Sequence, residues 1–76
     1  MNKERRKSLS DIPASIEELK ANLQDLLDEE QEYFDNMPEG IQMSEKGDLA
    51  QQAIDNMQSA IDSLEETIGS IDDAAG

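Results

Sequence analysis

The sequence predicts an all-α fold, an antiparallel two-helix coiled-coil hairpin that dimerises into a four-helix bundle. Three observations predict it. Each half of the chain carries apolar residues at alternating spacings of three and four. A Pro- and Gly-containing segment, Asn36-Met37-Pro38-Glu39-Gly40, separates the halves. The chain is too short, at 76 residues, to build a large core.

In the first half, Leu9, Ile12, Ile16, Leu19, Leu23, Leu26, Tyr33 and Met37 form an a/d heptad stripe, broken only at Glu30. Leu27 and Phe34 lie one position outside it. The helix is expected over residues 11–36, starting at Ser10 or Asp11, where Pro13 falls in the first turn and its missing N–H is harmless. Ser15 with Glu18 forms a capping-box pattern and offers a later start. A start at Ser8 would set Pro13 against a carbonyl. Residues 1–10, with the basic run Lys3-Glu4-Arg5-Arg6-Lys7, then form a disordered tail.

The turn is expected over residues 37–43. Pro38 disfavours helical geometry at Met37, and Gly40 can take positive φ. Ile41 and Met43 are expected to fold back over the helix ends. Ser44 is a good N-cap for the second helix, expected over 44–73, with Glu45 in its first turn. Its stripe is Ala50, Ile54, Met57, Ile61, Leu64, Ile68, Ile71 and Ala75, and three successive heptads repeat a small residue, an Ile and a further apolar residue. Folding the halves about the turn sets Leu26 near Ile54, Leu23 near Met57, Leu19 near Ile61, Ile16 near Leu64 and Glu30 opposite Ala50. A lone hairpin is marginal. Leu27 and Phe34, with the small residues Ala53 and Ala60, are therefore assigned to a homodimer contact.

Composition narrows the function. With no Cys and no His, disulfides and the usual zinc, haem and iron–sulfur sites are excluded. Neither a cofactor nor a metal site is expected. The acidic run has no Gly-bent, oxygen-rich loop of the EF-hand kind. No nucleophile has an evident activator, and a thin hairpin has no cleft, so the chain is not expected to be an enzyme. No apolar run approaches the ~20 residues of a membrane span, and no apolar stretch follows the basic start as a secretory signal would require. A cytoplasmic location is expected.

The net charge is −13. Residues 1–7 carry a net +3, which leaves −16 on residues 8–76. The helical body should therefore repel nucleic acid and attract a protein partner with a basic surface. Asp25, Asp28, Glu29, Glu32 and Asp35 on the first helix, with Asp55, Asp62, Glu65, Glu66 and Asp72 on the second, are the candidate partner-binding residues. They are expected as two near-parallel negative rows, a coarse imitation of a nucleic-acid backbone. The bland alternatives are that the acids only solvate the rod and that the apolar seam pairs with a partner helix in a structural or assembly role.

The segment from Glu29 to Gly40, followed by Ser44-Glu45-Lys46-Gly47 and the Ala-Ile-Asp heptads, resembles a group of short acidic coiled-coil proteins of bacterial phages and conjugative elements. The likeness covers about residues 15–70 and rests on Phe34-Asp35-Asn36-Met37-Pro38-Glu39 and the repeated Ala-Ile-Asp. It carries no assigned activity and no functional residues. It implies a protein of a mobile element that modulates or inhibits a host nucleic-acid-binding or defence factor in the bacterial cytoplasm.

Overall fold

The computed structural model describes residues 1–76. In chain order it contains α1 (Lys3–Asp35), α2 (Glu39–Gln42) and α3 (Glu45–Ala75), and no strand. α1 and α3 run antiparallel, since Lys20 meets Glu65 while Tyr33 meets Lys46. Together they form a rod of 59 × 15 × 12 Å.

The N-terminal boundary differs from the expectation. Residues 3–10 are helical, not an unstructured tail. Asn2 is extended, and its side-chain Oδ1 accepts a hydrogen bond from the Arg5 backbone N–H at 2.7 Å. That satisfies one of the donors a helix start leaves open, and Glu4 sits favourably in the first turn. Pro13 consequently lies inside the helix, where it removes the amide that would bond the Leu9 carbonyl. An interior proline costs roughly 3 kcal/mol, and this cost made a later start attractive on sequence alone.

The turn also differs. Pro38 is extended, at φ −57° and ψ 147°, and its carbonyl accepts from the Ile41 and Gln42 amides to start the single turn of α2. No residue, Gly40 included, has positive φ. The reversal is made in two steps, at Asn36–Pro38 and at Met43–Ser44, so neither step needs a left-handed residue. Ile41 and Met43 stay exposed, and Met37 is buried instead. Ser44 is the N-cap of α3 by position, but its hydroxyl donates back to the Ile41 carbonyl and caps no α3 amide.

Gly47 is buried because α2 crosses directly over it. A Cβ there would lie 2.0 Å from the Gln42 carbonyl oxygen. Gln42 in turn donates from its amide nitrogen to the Phe34 carbonyl at 2.9 Å. Gly47 thus lets the connector press against the start of α3, and Gln42 ties it to the end of α1.

The seam of α3 is the expected one. Ala50, Ile54, Ile61 and Ala75 are buried, and Met57, Leu64, Ile68 and Ile71 are half-buried. The seam of α1 is rotated by one column. Leu9, Ile16, Leu23, Glu30 and Met37 point inward as expected, but they alternate with Pro13, Lys20, Leu27 and Phe34. Leu27 joins Ile54 and Ile61 in the core, with Leu23, Phe34 and Met57 packed against them. Ile12, Leu19, Leu26 and Tyr33, expected in the seam, are exposed. The physical reason is that α1 has a three-column apolar arc and one partner helix covers only two columns. Choosing the column of Leu27 and Phe34 also lets Lys20 reach Glu65.

Candidate functional site: the charged and uncharged faces

Residues seven apart share a column of a heptad helix. On α3 this sorts charge sharply. All eight carboxylates lie on three adjacent columns, carried by Asp48, Asp55 and Asp62; by Glu65 and Asp72; and by Glu45, Glu66 and Asp73. The two columns on the other side hold Lys46, Ala53, Ala60, Thr67 and Ala74, and Leu49, Asn56, Ser63 and Ser70. They contain no acid.

Two contacts fix which side is which. The Lys46 ammonium sits 5.8 Å from the centroid of the Tyr33 ring, so the acid-free columns of α3 adjoin the exposed apolar column of α1. A shallow groove lined by Leu9, Ser63, Thr67, Ser70 and Ala74 continues the same side toward the other end, with the Glu66 carboxylate at its margin. On the opposite side, Lys20 bridges Glu17 and Glu65, each at 3.3 Å. The hydrogen bond to Glu17 raises the Lys20 pKa above 10.5; partial desolvation opposes this, and Glu65 adds to it.

The ten carboxylates expected to bind a partner are all exposed. They do not form one pair of equivalent rows. Glu65 is engaged by Lys20. Asp28, Asp35, Asp55 and Asp62 each accept from the side-chain amide one turn before them, from Gln24, Gln31, Gln51 and Gln58 at 2.9 to 3.1 Å. These pairs repeat at a heptad interval on both helices and hold the four carboxylates in defined positions. Asp25 and Glu32 occupy a separate column of α1, and Glu29, Glu66 and Asp72 have no such partner among the side-chain bonds.

The expected oligomer contacts divide. Leu27 and Phe34 are used inside the hairpin and are not free for a second chain. Ala53 is half-buried and Ala60 exposed, both on the acid-free side. The column Ile12, Leu19, Leu26 and Tyr33 takes the place of Leu27 and Phe34 as an open apolar surface. Its seven-residue spacing was present in the sequence, but a seam needs two columns and the sequence offered three.

No group of three or more Asp or Glu is placed to hold a metal ion. No helix is long and apolar enough to cross a membrane. No family model, curated protein or solved structure matches the chain.

Proposed function

We propose that this chain is a small acidic interaction protein that binds a basic, nucleic-acid-binding protein surface and modulates or inhibits it by standing in for the nucleic acid. The observation that carries the reading is the density and order of its exposed acids. Of nineteen carboxylates all but Glu30 are exposed, and eighteen on a rod 59 Å long give about one per 3 Å of length, counted around all its sides, against the ~3.4 Å charge spacing of one nucleic-acid strand. Four of them are pre-positioned by Gln partners, which lowers the entropy lost on docking. The resemblance to mobile-element proteins makes a host factor the fitting target class. Catalysis has no part in this reading.

The test is capture from bacterial extract on the immobilised protein, eluted by increasing salt. Nucleic-acid-binding proteins should be retained at low salt and released as screening shortens the reach of the carboxylates. Asp55→Lys with Asp62→Lys should abolish capture while helicity is kept. Unchanged capture by that variant sinks the reading.

A second reading is an assembly role through an apolar face. It is favoured by the exposure of Leu19 and Leu26, at 60% and 56%. In the first reading the hairpin acts as a homodimer; in the second a partner helix takes that face.

A further inference from the structure

We propose that the acid-free side of the hairpin is the homodimer contact, with the apolar column of α1 seated on the small residues of α3 in a second copy. This rests on the homodimer of the reading above and names its face and topology. Only seven residues of the hairpin are buried, and no large side chain is fully buried. Such a core leaves little stability unless more surface is covered. The structure offers one side suited to that.

Charge selects the occupant. In a chain with nineteen acids, two columns of α3 hold none, and the apolar column of α1 adjoins them. A basic partner would find little to pair with there. A second copy of the same side brings Lys46 as its one charge from the two acid-free columns of α3, and meets an α3 carboxylate only at the margin, at Glu66.

Shape selects the arrangement. Ile12, Leu19, Leu26 and Tyr33 carry large exposed side chains, whereas Ala53 and Ala60 carry small ones. The side thus offers large residues on α1 and small ones midway along α3, which a two-fold contact can bring together. A two-fold axis along the rod lays α1 of one copy over α3 of the other. The intrachain register, Lys20 level with Glu65 and Tyr33 with Lys46, then carries across. Leu19 falls at the level of Ala60 and Ser63 of the second copy, and Leu26 at the level of Ala53 and Asn56. Every adjacent helix pair is antiparallel and both turns lie at one end. The acids of α3 remain outside.

The experiment combines mass and crosslinking on the full chain. Sedimentation equilibrium at tens of micromolar should give twice the 8.4 kDa chain mass. Leu19→Glu and Ala60→Glu should each give the single mass with helicity retained, since both positions are exposed in the hairpin. The chain has no cysteine, so L19C and S63C copies can be mixed and oxidised without background. A mixed disulfide between them is expected, with little L19C–L19C product. A monomeric wild type overturns both the dimer and the face. A dimer that survives both Glu variants overturns the face alone. A crosslink from L19C to L26C in preference to S63C overturns the arrangement of α1 on α3.

Discussion

Leu26 and Leu27 are chain neighbours of identical chemistry with opposite fates: Leu27 is 7% exposed in the core and Leu26 is 56% exposed on the open side. Removing the same three carbons from each should separate folding from association. In the monomeric L19E background, Leu27→Ala should cost about 2–3 kcal/mol by urea unfolding, and Leu26→Ala less than ~0.5 kcal/mol. Equal costs would mean that α1 presents the other column to α3.

Two glycines inside α3 should respond to alanine with opposite sign. Gly69 has open space around it, so Gly69→Ala should stabilise by up to ~1 kcal/mol through helix propensity alone. Gly47→Ala gains the same propensity but drives a methyl against the Gln42 carbonyl, and should lose about 1–3 kcal/mol net. Thermal melts of the two variants compare them directly. A Gly47→Ala variant more stable than wild type would rule out the close crossing of α2 over α3.

Lys20 gives the rod a dependence on alkali. Its folded pKa is raised above 10.5, chiefly by the hydrogen bond to Glu17. The charged form is therefore favoured by folding. Its contribution is fully present below pH 10.5 and is lost as the pH rises through the raised folded value. The measurement is the difference in melting temperature between wild type and Lys20→Met across that window. The gap should narrow or reverse as Lys20 deprotonates. A gap that stays constant would mean that the bridge to Glu17 and Glu65 contributes nothing.

The hairpin, its antiparallel order and the whole seam of α3 were readable from the sequence, because α3 has one apolar stripe and nothing competes with it. α1 was readable only in part. Leu9, Ile16, Leu23 and Met37 were placed correctly, but Leu26 and Leu27 offered two adjacent columns of nearly equal apolar content. Periodicity cannot choose between such columns; the choice is made in packing, where Leu27 meets Ile54 and Ile61 and the same column brings Lys20 to Glu65, 45 residues away in the chain. The N-terminus was misread because Pro13 argued against a helix more loudly than Asn2 argued for a cap. Gly47 carried a usable signal, since a glycine in the first turn of a helix sacrifices propensity and calls for a close neighbour. The acids were identified correctly as exposed, yet their segregation on α3 appears only when the sequence is sorted by column.

Pro13 has one more consequence. The rung between residues 9 and 13 is missing from the α1 ladder, and among residues 3–12 only Leu9 is even half-buried. The cationic end of the rod is thus a weakly moored leader that can unwind and rewind while the acidic length beyond it stays folded. In solvent deuterium, its amides should form a fast-exchanging block that stops at a residue with no proton to exchange.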